Sequence, residues 1–372
     1  MPPASPIDLD DARALALVGM RRIAMVGASS NPSRDSHGVM RVLLDRGFEV
    51  VPVNPTVDEV LGKRAYGSLA EVPGRIDLVD VFRAPEHLPG VAREAVARDD
   101  VGVVWNQLGL VSDEARDIVR SAGRGYVENA CIKVDVLRAG ASAPTGPRVE
   151  PDALVLDLDD TILDHVACER GAVAATLRAF DLDASDAAID VYVRHNAALW
   201  DQYRSGTVTP EALRTDRWDR TLRELGLTAD LPAISAHYLD EFAATGALLP
   251  GAAEALWWLA RRAPVAICTN GFREVQEHRL AATGLDGLID AFASSEEAGV
   301  AKPDPAPLRL ALERLGVGED EDVVVVGDQL ATDVAAGQAI GATTVWIAPD
   351  DAVVPEGLEA PTHRVPHLAQ LA

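Results

Sequence analysis

Two aspartates at the end of a predicted buried strand are the first candidates for chemistry in this chain. Asp157 and Asp159 follow the apolar run Ala153-Leu154-Val155-Leu156, which predicts a parallel strand. Carboxylates two residues apart leave a strand on the same side, and ligands of open α/β sheets bind beyond the carboxyl ends of the strands. One carboxylate can then attack phosphorus while the other handles protons, provided that a cation offsets their charge. A solvated, Asp-rich turn is the alternative that this segment alone leaves open.

Three further polar segments follow in a fixed order. Thr269-Asn270-Gly271 comes after the apolar run 265–268, and Asp328 and Asp333 come after the four valines 323–326. Between them lies Lys302, one of only 3 lysines among the 34 basic residues, so it stands out in a sequence that uses arginine almost wherever a positive charge will do. The alternative is a surface lysine without a role. The resulting order is acid pair, hydroxyl, lysine and acid pair.

This ordered set resembles the four motifs of the haloacid dehalogenase-like (HAD) hydrolase superfamily, over roughly residues 151–348. The resemblance implies that Asp157 attacks phosphorus and forms an aspartyl-phosphate. It also implies that Asp159 protonates the leaving alkoxide and later deprotonates the attacking water. An aspartate two residues after the nucleophile is typical of the members that transfer phosphoryl groups, whereas the dehalogenases have another residue there and use no metal.

The same resemblance assigns residues to the phosphoryl group and to a metal ion. The phosphoryl oxygens are expected to contact a hydroxyl, backbone N–H groups and an ammonium, those of Thr269, Asn270, Gly271 and Lys302. Mg²⁺ is expected to bind the carboxylates of Asp157 and Asp328 and the backbone carbonyl of Asp159. Asp333 is expected to orient the water shell of the metal or Lys302.

Alternating strands and helices predict an α/β chain with two doubly wound, Rossmann-like parallel-sheet domains. The strands predicted in the first domain are 22–26, 49–53, 78–82, 101–105 and 126–128. This domain is placed at 1–138, and the Gly/Pro-rich stretch 139–150 predicts a linker. The second domain has its core at 151–164 and 250–372. Helical periodicity in 165–249 predicts an inserted cap, which the resemblance makes a lid over small substrates.

Within the predicted cap, Trp200 and Arg217 are candidates for contacting the leaving group of the substrate. The segments that contain them, together with Thr269-Asn270-Gly271-Phe272 and Gln276, look similar to the pyrimidine 5′-nucleotidase and N-acylneuraminate-9-phosphatase branch of the superfamily. The alternative is that this tryptophan and arginine are packing and surface residues.

The first domain carries its own set of ordered motifs at predicted strand ends. The turn that follows its first strand lacks Gly-x-Gly-x-x-Gly, which disfavours a dinucleotide site. The motifs are Val-Gly-Ala-Ser-Ser-Asn-Pro-Ser-Arg at 26–34, Val-Asn-Pro at 53–55, Phe-Arg-Ala-Pro at 82–85, Trp-Asn-Gln-Leu-Gly at 105–109 and Glu-Asn-Ala-Cys-Ile-Lys at 128–133. Together they resemble the small CoA-binding protein family, related to a domain of succinyl-CoA synthetase, over roughly residues 8–138. The resemblance implies a site for CoA or an acyl-CoA at Gly27, Ser29, Ser30, Arg34, Asn54, Pro55, Phe82 and Arg83. A Rossmann-like domain without its ligand, serving as an assembly surface, is the alternative.

Composition and charge narrow the class of protein. The formal net charge is −24, with −3 on residues 1–140 and −21 on the remainder. This charge disfavours nucleic acid and anionic membranes as partners, and it favours a divalent cation wherever a phosphorylated substrate binds. No apolar run approaches the ~20 residues that span a bilayer, and residues 1–6 lack the pattern of a secretory signal. A cytoplasmic location fits three cysteines without metal or disulfide spacing.

The sequence therefore predicts a Mg²⁺-dependent phosphatase of a small phosphorylated metabolite, with a CoA-binding N-terminal domain as its regulator or as a contact for a CoA-related substrate. Two alternatives remain: a CoA-sensing or scaffold protein with a vestigial hydrolase, and a phosphomutase that uses the same acid pair. A fragment of a CoA ligase fits poorly, because no phosphohistidine domain follows the first domain. Homo-oligomerisation is possible.

Overall fold

A computed structural model describes residues 7–372 of the chain and divides them into two compact units. The N-terminal unit comprises residues 7–148, 253–261 and 368–372, and the C-terminal unit comprises 149–252 and 262–367. Residues 1–6, on which the predicted absence of a secretory signal rests, lie outside the described residues. The predicted domain bounds stay predictions, because compactness alone does not fix where a domain of either family begins or ends.

The N-terminal unit is built of short strands and helices that alternate along the chain. Its elements are α1 Arg13–Gly19, β1 Arg22–Val26, α2 Asp35–Asp45, β2 Glu49–Val53, β3 Glu59–Val60, β4 Lys63–Arg64, β5 Leu78–Val81, α3 Leu88–Val96, β6 Val103–Asn106, α4 Asp113–Ser121, β7 Gly125–Val127 and α5 Ile132–Ala139. The strands β1, β2 and β5 to β7 consist largely of buried β-branched and apolar residues, as expected of strands covered on both faces.

Five of these strands form one parallel sheet in the order β2-β1-β5-β6-β7, and β3 and β4 form a separate hairpin. The chain passes from β1 to β2 on one side and then crosses to β5 on the other side. The order of strands therefore reverses between β1 and β5, and a crevice that accepts ligands is expected beyond their carboxyl ends.

The C-terminal half of the chain begins with a strand, continues with four helices and then alternates again. Its elements are β8 Ala153–Leu156, α6 His165–Ala179, α7 Asp186–Arg204, α8 Pro210–Leu225, α9 Leu231–Ala243, α10 Ala252–Ala260, β9 Val265–Thr269, α11 Arg273–Thr283, β10 Ala291–Ser294, α12 Ser295–Ala298, α13 Ala306–Leu315, β11 Val323–Gly327, α14 Ala335–Ala339, β12 Thr343–Ile347 and β13 His363–Val365. A π-helical turn, Leu330–Val334, precedes α14, and most of α10 belongs to the N-terminal unit.

The sheet of the C-terminal unit is also fully parallel, in the order β10-β9-β8-β11-β12-β13. Its three middle strands, β9, β8 and β11, are those that precede the predicted site residues. Because parallel neighbours end at the same edge of a sheet, these residues lie at one edge. The predicted α/β class with two doubly wound parallel sheets is confirmed.

The four helices α6 to α9 form a separate helical layer within the C-terminal unit, which we call the cap segment. It has its own apolar core, in which Tyr192, Trp218 and Tyr238 pack against one another. Each helix begins at a side chain that accepts a hydrogen bond from the third N–H of the helix, and these side chains are Asp164, Ser185, Thr209 and Asp230. Such N-caps satisfy N–H groups that have no partner inside the helix.

Across residues 7–372, no helix combines the length and the apolar character needed to cross a membrane. The three cysteines, Cys131, Cys168 and Cys268, are all free thiols.

Candidate functional site

The three middle strands of the C-terminal sheet deliver the predicted nucleophile, hydroxyl and acid to one edge. Asp157 directly follows β8, and its N–H donates to the Val326 carbonyl on β11 at 2.9 Å. Thr269 is the last residue of β9, and Asp328 directly follows β11. Buried apolar residues fill the strands up to these positions, so the first polar side chains stand at the edge itself.

Lys302 is buried at the centre of this edge, with 2% of its surface exposed. Its Nζ lies 2.7 Å from Asp157 Oδ1, 2.7 Å from Asp333 Oδ1 and 2.6 Å from the Cys268 carbonyl. The contacts with Asp157 and the Cys268 carbonyl are hydrogen bonds, and the contact with Asp333 is an ion pair. The structure therefore places Lys302 where it offsets the charge of the predicted nucleophile, and it is not a surface lysine.

Three carboxylates around Lys302 form a cluster that fits a divalent cation. Asp157, Asp328 and Asp333 each bring one oxygen to within 4.8 Å of the others. Burial raises the pKa of Asp157 well above its usual value; Lys302 opposes this shift, while Asp333 and Asp328 add to it. Burial, followed by the charge of Asp333, raises the pKa of Asp328 to about 7. Three acids against one ammonium leave negative charge uncompensated, and an all-oxygen donor set of this kind suits Mg²⁺.

Asp333 differs from the other two members of the cluster. Its Oδ1 contacts Lys302, and its Oδ2 accepts the Gln329 N–H at 3.0 Å. Both oxygens are therefore engaged by the protein, which favours the orienting role over direct ligation. The carboxylate of Asp159, for which only a backbone contact to the metal was predicted, lies apart from the cluster.

Three of the predicted phosphate-binding residues, Thr269 to Gly271, lie together at the end of β9 and in the turn that follows it. Thr269 Oγ1 accepts two hydrogen bonds, from Gly271 N at 3.0 Å and from Gln276 Nε2 at 3.1 Å. A hydroxyl that accepts two hydrogen bonds keeps its proton for donation, and a phosphoryl oxygen is a suitable acceptor. The side chain of Asn270 holds the backbone of Lys302 at both its N–H, 2.8 Å, and its carbonyl, 3.2 Å. It thus positions the lysine.

Asp159 lies in a setting opposite to that of Asp157. Its carboxylate accepts hydrogen bonds from Gln276 Nε2 and Arg279 Nη1, each at 2.6 Å, and His165 Nδ1 lies 3.3 Å away. Burial alone would raise the pKa of Asp159, but Arg279 and then His165 bring it well below its usual value. Burial alone would lower the pKa of His165, but Asp159 raises it to about 9.

A cavity of about 310 Å³ opens above these residues, between the sheet edge and the cap segment. The predicted site residues that line it are Asp159, Thr269, Asn270, Gly271, Lys302 and Asp333. From the cap segment, Trp200 and Arg217 line it as well. The Trp200 ring lies beside the ring of Phe272, with centroids 5.7 Å apart, so one wall is aromatic.

Arg217 is buried inside the cap segment, so the surface alternative for this residue does not hold. Its guanidinium lies over the ring of Tyr238 at 4.7 Å, and its Nη1 is 3.3 Å from Asn196 Oδ1. Asn196 Nδ2 in turn donates to Glu169 at 2.6 Å. Among the described residues, Arg217 Nη2 has no hydrogen-bond partner. The cavity thus ends in a buried donor beside an amide and a carboxyl group.

Sequence reasoning missed Arg279, His165, Glu169 and Asn196 as parts of this site. Two of them carried a signal: Arg279 lies one helical turn after Gln276, and His165 follows Asp159 within six residues. Asn196 lies four residues before Trp200, in a segment that was considered only for its resemblance to a branch of the superfamily. For Glu169, nothing in the local sequence distinguishes it from a solvated helical acid.

The residues predicted to bind CoA lie around the carboxyl ends of β1, β2 and β5. Asn54 Nδ2 donates to the Ala28 carbonyl at 2.7 Å, and this bond joins the turn after β2 to the turn after β1. Gly27 has a φ of +88°, and a Cβ there would lie 2.4 Å from the Phe82 carbonyl oxygen. Glycine at this position thus lets the turn after β1 approach the segment after β5. Arg34 is exposed at the start of α2.

Two family models match the chain. The model for the CoA binding domain matches residues 21–136, and the model for the haloacid dehalogenase-like hydrolases matches residues 151–341. The second match covers more than half of the 372 residues.

Relatives match each half separately. The uncharacterized protein YneT of Bacillus subtilis is 49% identical over 114 residues, 31% of this chain and 84% of YneT. The pyrimidine 5′-nucleotidase YjjG of Escherichia coli is 33% identical over 180 residues, 48% of this chain and 79% of YjjG. The crystal structure of the B. subtilis HAD-hydrolase YfnB bound to magnesium is 27% identical, covers 60% of this chain and 97% of YfnB, and has a TM-score of 0.55.

The motifs, the sheet and these matches agree on the class of both halves. The chain belongs to the haloacid dehalogenase-like hydrolases; it is a phosphoric monoester hydrolase and carries an N-terminal CoA-binding domain.

Proposed function

We propose that the chain is a Mg²⁺-dependent phosphatase that hydrolyses a small phosphomonoester through an aspartyl-phosphate on Asp157. The observation that carries this proposal is the contact of Lys302 Nζ with both Asp157 and Asp333. Lys302 and Asp333 line the cavity together with Thr269 and Asp159, and Lys302 joins this lining to Asp157, which does not itself line the cavity. The phosphoryl donors and a second carboxyl group thus lie at the cavity, and the proposed nucleophile is in contact with one of these donors, Lys302.

In the first step, a carboxylate oxygen of Asp157 forms a bond to phosphorus while the bond from phosphorus to the leaving oxygen breaks. The carboxyl group of Asp159 gives its proton to that oxygen. In the second step, water attacks phosphorus, Asp159 takes a proton from the water, and the bond to Asp157 breaks. Thr269 Oγ1 donates to a phosphoryl oxygen in both steps, and Lys302 offsets the charge.

The cation would be held by Asp157 and Asp328, whose carboxylate oxygens lie within 4.8 Å of each other. When bound, it would supply positive charge at the phosphoryl oxygens. Asp333 keeps Lys302 and the Gln329 backbone in place. The magnesium bound to the related YfnB structure supports this part of the proposal.

We further propose a pyrimidine nucleoside 5′-monophosphate as the preferred class of substrate. Trp200 and Phe272 offer an aromatic wall, against which a flat base can pack. Arg217 offers a free donor to a ring carbonyl, and Glu169 offers a carboxyl group to a ring N–H. The activity named for YjjG points to the same class.

Phosphate release tests the proposal directly. The full chain is assayed with Mg²⁺ on uridine and guanosine 5′-monophosphates, ribose 5-phosphate and phosphoserine, beside Asp157→Asn. We expect Mg²⁺-dependent release that is fastest with the uridine nucleotide and absent in the variant. Transfer of the phosphoryl group to another position of the substrate, without release of inorganic phosphate, would instead indicate a phosphomutase. No turnover with any substrate would favour the scaffold alternative. Arg217→Met is expected to lose selectivity among bases while still releasing phosphate from ribose 5-phosphate.

CoA or an acyl-CoA is the proposed ligand of the N-terminal unit, and it would regulate the phosphatase or contact a CoA-related substrate. The match of the CoA-binding model and the closeness of the turns after β1, β2 and β5 support this. Titration calorimetry of the full chain with CoA and acetyl-CoA tests it, with the exposed Arg34→Glu as the variant expected to weaken binding. The free thiols fit the cytoplasmic location that forms part of the proposal.

A further inference from the structure

Both carboxylate oxygens of Asp159 are held from one side by a single helix. Gln276 Nε2 donates to Oδ2 and Arg279 Nη1 donates to Oδ1, each at 2.6 Å. The two donors lie three residues apart on α11, so they face the same direction. Each oxygen of a carboxylate has a second lone pair. His165 Nδ1 lies 3.3 Å from Oδ1, and no second contact is shown for Oδ2 among the described residues. Because Asp159 also lines the cavity, the second lone pair of Oδ2 remains for a proton that moves to or from the substrate.

The amide of Gln276 has its orientation fixed by three contacts. Its Oε1 accepts from Arg279 Nη1 at 2.7 Å, and its Nε2 donates to Thr269 Oγ1 at 3.1 Å as well as to Asp159. A guanidinium can only donate, so the oxygen of the amide faces Arg279 and the nitrogen faces the carboxylate. Gly271 leaves room for this arrangement, since a Cβ there would lie 2.4 Å from Gln276 Nε2.

Arg279 is the centre of this arrangement. It is 0% exposed, and it forms an ion pair with Asp159. Its guanidinium lies 4.1 Å from the ring centroid of Phe242, a residue of α9 in the cap segment. The same ring meets His165 edge to face at 5.8 Å. A residue of the cap segment thus packs directly on both cationic side chains that neighbour Asp159.

We propose that Arg279 is the positioning residue for Asp159, and that Phe242 ties the orientation of that carboxylate to the cap segment. This inference rests on the proposed function, in which Asp159 gives a proton to the leaving oxygen. Without Arg279, Gln276 loses the partner that fixes its amide, and the carboxylate can rotate away from the leaving oxygen. A misplaced proton donor therefore lowers the rate most for substrates whose leaving group depends most on receiving a proton.

Two substrates that differ in their leaving groups test the inference. An alkoxide leaves poorly without a proton, whereas p-nitrophenolate leaves without one. We measure kcat/KM, which includes the departure of the leaving group, for an alkyl phosphate and for p-nitrophenyl phosphate. Arg279→Met is expected to lower kcat/KM by ~100-fold or more on the alkyl ester and by far less on the aryl ester. Arg279→Lys and Phe242→Leu are expected to show the same preference with smaller losses.

A double-mutant cycle with Asp159→Asn separates positioning from general damage. If Arg279 acts through Asp159, Arg279→Met adds no further loss to Asp159→Asn. Losses that multiply, or a loss equal on both esters, would overturn the inference. Should Arg279→Met not fold, Arg279→Lys and Phe242→Leu are judged by the same ratio of alkyl to aryl rates.

The control also isolates the proposed function. Asp159→Asn must itself lower kcat/KM less on the aryl ester than on the alkyl ester. Equal losses on both esters in that variant would show that Asp159 does not protonate the leaving group, and the inference would fall together with that role. A selective loss in Asp159→Asn beside an unselective loss in Arg279→Met would refute the positioning role alone.

Discussion

Replacing Lys302 with methionine removes the one cation among three carboxylates while nearly preserving the length of the side chain. Lys302 Nζ contacts Asp157 and Asp333, each at 2.7 Å, and the Cys268 carbonyl at 2.6 Å. Removing one partner of a buried ionic group leaves the other charges uncompensated, at a cost of ~3–5 kcal/mol. The unpaired carbonyl adds ~1 kcal/mol or more. We expect Lys302→Met to lower the free energy of unfolding by about 4–6 kcal/mol at pH 8.

The pH dependence gives this prediction its sign. Without the ammonium, the pKa of Asp157, already raised by burial, rises further, as does that of Asp328, which stands at about 7 with the lysine present. A folded-state pKa above the unfolded one means that stability is lost as pH rises towards the folded value. The penalty of Lys302→Met must therefore shrink between pH 8 and pH 5.5, where the folded state can bind a proton.

Urea denaturation of both proteins at the two pH values, without added Mg²⁺, measures the penalty. Lys63→Met serves as the control, because Lys63 is exposed on β4 and its loss should change stability by no more than ~0.5 kcal/mol. Phosphate release by Lys302→Met should fall by ~10²–10³-fold. A penalty below ~1 kcal/mol, or one of equal size at both pH values, would show that Lys302 does not neutralise this cluster.

Three other perturbations have defined outcomes. Burial raises the pKa of Asp80 to about 7, so the free energy of unfolding of the wild-type N-terminal unit should fall by up to about 4 kcal/mol between pH 4 and pH 7. Calorimetry should therefore show that Asp80→Asn is more stable than the wild type at pH 8 but not at pH 4. Mg²⁺ should raise the unfolding temperature of the wild type, and a chelator should reverse this increase. Asp328→Asn should abolish the increase. Gly271→Ala should lower kcat/KM because its Cβ displaces Gln276, whereas Gly38→Ala, with open space around its Cβ, should leave kcat/KM unchanged.

The positions of the main strands and the order of the site residues were predictable because both depend on local pattern. Continuous apolar runs that stop at Asp157, Thr269 and Asp328 predict strands that end at those residues, and parallel pairing then brings the ends together. The strands β10, β12 and β13 were not predicted. β10 is the four-residue Ala-Phe-Ala-Ser, and β13 has three residues, too few for a period to be recognised.

The surroundings of Asp159 were not predictable in the same way. Gln276 and Arg279 lie 117 and 120 residues further along the chain, and their contacts depend on how α11 packs against α9 of the cap segment and reaches the segment that follows β8. Arginine is abundant in this sequence, so Arg279 carried no compositional signal of the kind that distinguished Lys302. Phe242 matters through its distance to a guanidinium, which only a packed structure determines.

The two aspartates of one motif carry opposite pKa shifts, and in the ligand-free site neither shift matches the role that we propose for its residue. A nucleophile must be ionised, yet the pKa of Asp157 is raised; a proton donor must be protonated, yet the pKa of Asp159 is lowered. Positive charge at the carboxylate cluster lowers the first, and the negative charge of a phosphoryl group beside Asp159 raises the second. The cation is therefore expected to lower the pKa of Asp157, and the substrate is expected to raise the pKa of Asp159, each in the direction that the proposed role requires. Because the two charges also attract each other, binding of either should strengthen binding of the other by the same factor.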